Sequence, residues 1–285
     1  MSVDTVSRFD RATRVVHWVT AADAAIVLAT ATALYVPEIS AQVGRRAGLM
    51  EAHLVSGLFL PVPLLFAMAA GPAGVRLRRD LAELSSWRAA DRRWLRHRDR
   101  PTPEGKYNGG QKLVTALFAG LFVMQLLTGS VMYWHDPFSV ASRTGATFVH
   151  DWAYLALAAV VIGHVAKALQ EPELMLAMRS GEVSSDWARR ERPSWDHDED
   201  AVRDEDSGRI VDERGGPMWL RVIGGALACV VGAVWILQGL DIVTGSGMSG
   251  HAIWAVFGAI VFGLGVTLLR AAVRTRSSRG NDHVA

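Results

Sequence analysis

Cysteine is almost absent from these 285 residues: there is one, Cys229, inside an apolar run. A lone cysteine closes no internal disulfide and offers no set of thiolates. An iron–sulfur cluster held by this chain alone is therefore excluded. Charge is scarce over long stretches. Asp, Glu, Lys and Arg make up 20% of the chain against 50% hydrophobic residues, and the charges gather between long apolar segments, as in a multi-span membrane protein. No cleavable signal sequence is evident. The first apolar run continues without a clear cleavage point and reads as a retained first span. Internal repeats and broken midplane helices are also lacking, which weighs against a transporter. Nothing in the charge pattern calls for a nucleic-acid partner.

Six apolar segments are long enough to cross as helices, at roughly 18–36, 51–71, 113–134, 148–170, 218–240 and 251–270. Pro61 and Pro63 predict a kink in the second. Eleven Lys or Arg lie between Arg76 and Lys112, with further basic residues at Arg8, Arg11 and Arg14 and at Arg274, Arg276 and Arg279. The loops on the other side carry few, so both termini are expected in the cytoplasm. Trp18, Trp134, Trp152 and Trp219 fall near span ends, where aromatic belts form. The polar stretch DHDEDAVRDEDSG (196–208) reads as a solvated linker. It divides the chain into a four-span module (1–195), an acidic linker (196–217) and a two-span extension (218–285) in which small residues favour close helix packing.

Nine histidines are present, and two of them, His150 and His164, lie fourteen residues apart in one apolar segment. At about 100° and 1.5 Å per residue, both imidazoles share one helix face and stand roughly 21 Å apart along the axis. His17 begins span one at the cytoplasmic depth of His164, and His53 begins span two at the outer depth of His150. The four thus resolve into two depth-matched pairs, each drawn from two helices. That is the requirement for two bis-histidine haems stacked in a bundle. Zinc is a poor match, because it takes a compact tetrahedral set. His97, His197 and His283 are expected at the surface, and His135 and His251 lack a partner at their depth. Asp23, six residues into span one, is expected to face the inner headgroup region.

Three stretches carry a family resemblance: RFDRATRVVHW (8–18), GKYNGGQK (105–112) and GEVSSDWARRERPSW (181–195). With the fourteen-residue histidine interval, they make residues 8–195 similar to the gamma subunit of membrane-bound respiratory formate dehydrogenase, a di-haem b-type cytochrome. The resemblance implies an all-α integral membrane protein of the bacterial cytoplasmic membrane. Its four-helix haem-binding bundle would be extended here by a C-terminal two-helix transmembrane hairpin. It implies two haem b groups, the outer on His53 and His150 and the inner on His17 and His164. It also implies a quinone site at Asn108, Gly110 and Gln111, beside the inner haem. Asn and Gln amides donate hydrogen bonds to a quinone oxygen, and glycine allows close backbone approach. Taken alone, YNGGQ is equally a turn that starts a helix.

The implied partners are an iron–sulfur beta subunit, a molybdenum or tungsten catalytic alpha subunit, membrane lipid, and menaquinone or ubiquinone as electron acceptor. The chain itself would not oxidise formate. Related di-haem subunits serve hydrogenases and other molybdenum oxidoreductases, which is the alternative assignment. The family pattern ends near residue 200, so the last two spans have no implied role.

Overall fold

Asp10 starts the first long helix: its carboxylate accepts a hydrogen bond from Thr13 N at 2.8 Å, a side-chain N-cap. Helix α1 (Arg11–Tyr35) is followed by a short α2 (Pro37–Val43), with proline in its first turn, closed by Gly44 at φ 65°. The second span is α3 (Arg46–Phe59) and α4 (Val62–Ala69), interrupted at Leu60 and Pro61 where proline predicted a kink. Two polar helices follow, α5 (Val75–Ser85) and α6 (Ala89–Arg96), and then α7 (Gly109–Tyr133) and α8 (Val140–Leu169). A short α9 (Pro172–Ser180) and α10 (Ser185–Glu191) precede the final pair, α11 (Met218–Gly239) and α12 (Ala252–Asn281). This computed structural model describes residues 4–69, 74–96, 104–134, 138–195, 218–243 and 250–281. The acidic linker and His97, His135, His197 and His283 lie outside the described residues, as does most of the 245–250 turn.

Among the described residues the protein is all-α apart from one two-stranded ladder. Among the described residues, four stretches are long and apolar enough to cross a membrane: Arg11–Tyr35, Arg46–Ala69, Gly109–Tyr133 and Val140–Leu169. Their side chains are mostly unburied by protein. Ile26, Leu127, Leu155 and Ile162 are exposed, as lipid-facing residues of a span are. Of the six expected spans, the first four correspond to these stretches. The last two helices offer shorter apolar stretches, Gly224–Gly239 and Trp254–Arg270, within helices of 22 and 30 residues.

The spans associate as two closely packed pairs, α1 with α3 and α7 with α8, while α1 meets α8 only sparsely. Tyr154 Oη, 2.8 Å from Thr32 Oγ1, ties α8 to α1. Helices α11 and α12 pack tightly on each other, backbone against backbone. A Cβ at Gly232 would lie 2.4 Å from Phe262 N, and one at Gly258 2.6 Å from Ile236 N. This hairpin rests on the second span: Ala228, Trp235 and Val261 form a buried cluster against Leu58, Val62 and Leu65. Trp134 joins that cluster, so it packs against protein where a belt position was expected.

A polar cap closes the end of the bundle that carries the N-terminus. Strand β1 (Thr5–Ser7) pairs antiparallel with β2 (Glu182–Ser184), in the register Thr5↔Ser184. Arg8 N and Phe9 N donate to Gly181 O at 2.7 and 3.0 Å. Gly181 has φ +96°, and a Cβ there would meet Phe9 O at 2.6 Å, so a side chain is both strained and obstructed. Beneath the ladder, Val183, Ala177, Ala188, Trp187 and Trp195 form a buried apolar cluster.

Candidate functional site

The structure brings the four predicted histidines together two by two. At the depth nearer the cap, the rings of His17 on α1 and His164 on α8 have centroids 6.2 Å apart. Phe118 of α7 meets the His164 ring edge-on at 5.7 Å, and Trp18 meets that of His17 at 5.4 Å. At the far depth, His53 on α3 and His150 on α8 have centroids 6.3 Å apart. Hydroxyls from the neighbouring helices reach this second pair: Thr30 Oγ1 is 3.1 Å from His53 Nδ1, and Thr128 Oγ1 is 2.9 Å from His150 Nδ1. Gly129 leaves room for the His150 ring, since a Cβ would stand 3.3 Å from its Cε1. The helices begin earlier than hydropathy indicated, so His17, His53 and His150 lie within their helices instead of at the first turn.

The spacing tests what could sit between the rings. An imidazole nitrogen lies about 2.0–2.1 Å from a first-row metal ion, and the ring centre about 1.1 Å behind it, so two imidazoles on one metal axis have centroids roughly 6.3 Å apart. Both pairs meet that spacing. Among the described residues no group of three or more His, Cys, Asp or Glu converges, so a compact zinc set is not formed there. A planar metal complex that brings four equatorial ligands of its own and needs only two axial nitrogens fits both positions. His251 is exposed at the start of α12. Asp23 departs from expectation: it is buried against protein, with Oδ2 unpartnered, and not open to the headgroups.

Asn108, Gly110 and Gln111 sit together at the start of α7. Asn108 Oδ1 accepts from Gln111 N at 2.9 Å, and Gln111 Oε1 accepts from Asn108 N at 3.0 Å, a complete capping box. The amide NH₂ groups remain as donors. A Cβ at Gly110 would lie 2.7 Å from the Trp94 ring, so the close approach it permits is to α6. Asn108 borders a cavity of about 220 Å³ that is also lined by Glu83, Asp91, Glu104, Tyr107 and Lys112. Along α7, Asn108 is ten residues before Phe118, about 15 Å nearer the cap than the His164 ring.

Charged residues bury themselves behind this corner. Arg8 is fully buried and donates to Lys106 O at 2.5 Å. Its guanidinium stands 5.2–5.9 Å from the ring centres of Trp195, Trp187, Phe9 and Tyr107. Burial lowers its pKa to about 10. Lys106 Nζ pairs with Asp80 Oδ1 at 2.5 Å, Lys112 Nζ with Asp91 Oδ2 at 2.9 Å, and Arg192 with Glu104. Burial pushes the Asp80 carboxyl above the usual range, with Lys106 pulling it back, and burial likewise raises Glu83. The three sequence stretches that carried the resemblance thus converge on one polar cluster.

Comparison with known proteins places this arrangement. The profile of prokaryotic cytochrome b561 matches residues 8–181. The chain belongs to the prokaryotic cytochrome b561 family. Its match covers all four histidines and both helix pairs, and membership implies binding of b-type haem. Among individual proteins, this cytochrome is 35% identical over 95 residues to the cytochrome b556(fdo) subunit of formate dehydrogenase from Escherichia coli K12. The same identity holds for the corresponding subunits of E. coli O6:H1 and O157:H7. The aligned part is 32% of this chain and 44% of each relative, so the chain spans under half the length of the curated relatives it matches.

Sequence reasoning missed Thr30, Thr128 and Phe118, because a threonine or phenylalanine within an apolar helix carries no local signal of its neighbour. It also missed the charged cluster around Arg8 and the two-stranded ladder, whose partners are far apart in the chain.

Proposed function

We propose that this cytochrome is the membrane-anchoring electron-transfer subunit of a formate dehydrogenase, holding two b haems and serving quinone. The observation that carries the reading is the pair of imidazole couples at metal-bridging distance, at two depths of one bundle. His53 and His150 would hold one haem and His17 and His164 the other. When bound, the haems would relay single electrons from an iron–sulfur partner at the far end to quinone at the capped, cytoplasmic end. The chain's own part is to fix the axial nitrogens on two helix pairs and to exclude water with apolar side chains. Asn108 and Gln111 would offer amide donors to a quinone oxygen, with Gly110 letting α6 support that corner. The carboxylates of Glu83, Asp91 and Glu104 line the cavity at that corner, and protons would enter through it from the cytoplasm. The formate assignment is supported by the similarity to the cytochrome b556(fdo) subunit. Helices α11 and α12 would complete the membrane part as a hairpin against the second span.

The test is pyridine-haem quantification of the purified protein and of each His→Ala variant. Two haems per chain are expected in the wild type and about one in every variant. A haem-free wild type would refute the proposal, and two haems retained in all four variants would refute the ligand pairs. Co-purification with a molybdenum or tungsten subunit is expected. A hydrogenase large subunit in its place would reassign the donor.

A further inference from the structure

We infer that Thr30 and Thr128 are positioning residues that fix His53 and His150 as Nδ1–H tautomers and so set the potential of the haem at that depth apart from the other. This rests on the bis-histidine reading above. The device is the same in both helix pairs: a threonine on the first helix, α1 or α7, holds the histidine on the second, α3 or α8. Each hydroxyl proton is already committed to its own helix. Thr30 Oγ1 donates to Ile26 O at 2.8 Å or Val27 O at 3.0 Å, and Thr128 Oγ1 to Met124 O at 2.7 Å. A hydroxyl has one proton, so toward the imidazole each oxygen can only accept. A ring held by such an oxygen donates from Nδ1, which leaves the Nε2 lone pair for the metal. Val27 O, 3.3 Å from His53 Nδ1, accepts in the same sense.

Gln125 reaches the same corner of His150. With its amide turned to satisfy both ends, its nitrogen lies 3.1 Å from both the carbonyl and Nδ1 of His150, and its oxygen accepts from Tyr154 N at 3.2 Å. That nitrogen has two hydrogens and can donate to Nδ1 as well as to the carbonyl, so at His150 Thr128 holds the Nδ1–H tautomer against Gln125, whereas at His53 Val27 O supports Thr30. At the other depth the device is missing. Among the described residues, His17 and His164 are met by aromatic edges, and no hydrogen bond reaches their ring nitrogens. An acceptor on Nδ1–H makes Nε2 a stronger donor and favours the oxidised metal. The His53/His150 haem is therefore the lower in potential, and electrons entering beside it run downhill toward the cap.

The experiment is a spectroelectrochemical titration of the full-length, haem-loaded protein in detergent, for wild type, Thr30→Val, Thr128→Val and the Ser variants. One of the two midpoint potentials is expected to rise in each Val variant, by about tenfold in its reduction equilibrium, which is 59 mV for one electron. Haem content should stay at two, and Ser should restore the wild-type value. If Val costs haem, Thr→Cys, a weaker acceptor, should give an intermediate potential. Two haems with both potentials unmoved would overturn the inference. So would an unmoved Thr128→Val beside a shifted Gln125→Leu, which would give the tautomer to the amide. A wild type with fewer than two haems would instead overturn the ligation reading.

Discussion

Lys106→Met should strand Asp80 inside the cap and make the protein's stability depend on pH. The ammonium lies 2.5 Å from Asp80 Oδ1, with the two side chains 4% and 6% exposed. At that separation the attraction is about 7 kcal/mol for an effective dielectric constant of 20, set against a desolvation penalty of several kcal/mol for each ion. The intact pair therefore contributes little net stability, in keeping with an Asp80 carboxyl that burial still holds above its ordinary range. Breaking the pair is a different matter, because the remaining charge is buried and uncompensated, at a cost of about 3–5 kcal/mol. Lys106 is the largest influence opposing burial at Asp80, so its loss sends that pKa higher still. An acid whose folded pKa exceeds its unfolded value binds its proton more tightly when folded. Its contribution is fully present below the unfolded pKa, about 3.9, and is lost as pH rises through the folded one. Lys106→Met should thus lower the apparent Tm by roughly 10 °C at pH 8 and by much less at pH 5, read by tryptophan fluorescence in detergent at one scan rate. Glu83, also raised by burial and also eased by Lys106, adds in the same direction. Adding Asp80→Asn should remove most of the pH dependence. An equal loss at both pH values, or a double variant as pH-sensitive as the single, would refute the reasoning.

Three further outcomes are expected. Gly181→Ala places a Cβ 2.6 Å from Phe9 O at φ +96° and should cost about 2 kcal/mol or more, seen as a lower Tm and faster proteolysis before Asp10. Asn108→Ser keeps a competent N-cap, so haem content and Tm should hold while quinone reduction falls about tenfold with the lost amide donor; unchanged quinone reduction would leave Asn108 a capping residue only. Gly232→Leu drives a side chain into the α12 backbone and should pry the hairpin open, raising the maleimide labelling rate of Cys229, which now faces Phe262 O at 3.9 Å; no change in labelling would mean the hairpin packs otherwise.

The first four spans and the histidine pairing were legible because they depend on local rules. Fourteen residues return a helix to nearly the same face whatever surrounds it, so His150 and His164 had to look the same way, and the lengths of the apolar segments fixed which helices hold them. The YNGGQ stretch was legible in two ways, and its turn chemistry is realised as a capping box. Asp23 was misjudged because depth alone does not say whether a helix residue faces lipid, headgroup or a neighbour; its burial in the packed bundle decided it. The final spans were judged by hydropathy, yet their apolar stretches are shorter than those of the first four.

The sequence by itself determined that this is a helical membrane protein with two imidazole layers. Apolar length and helical period are properties of each segment and need no partner. Only the tertiary structure decided which helices stand side by side, that threonines of α1 and α7 reach the ring nitrogens of His53 and His150, and that Arg8, Lys106 and Trp187 share one buried cluster. Those contacts join residues 22 to 179 positions apart. They are selected by the cost of burying polar groups unpaired, which is settled only when the helices have packed.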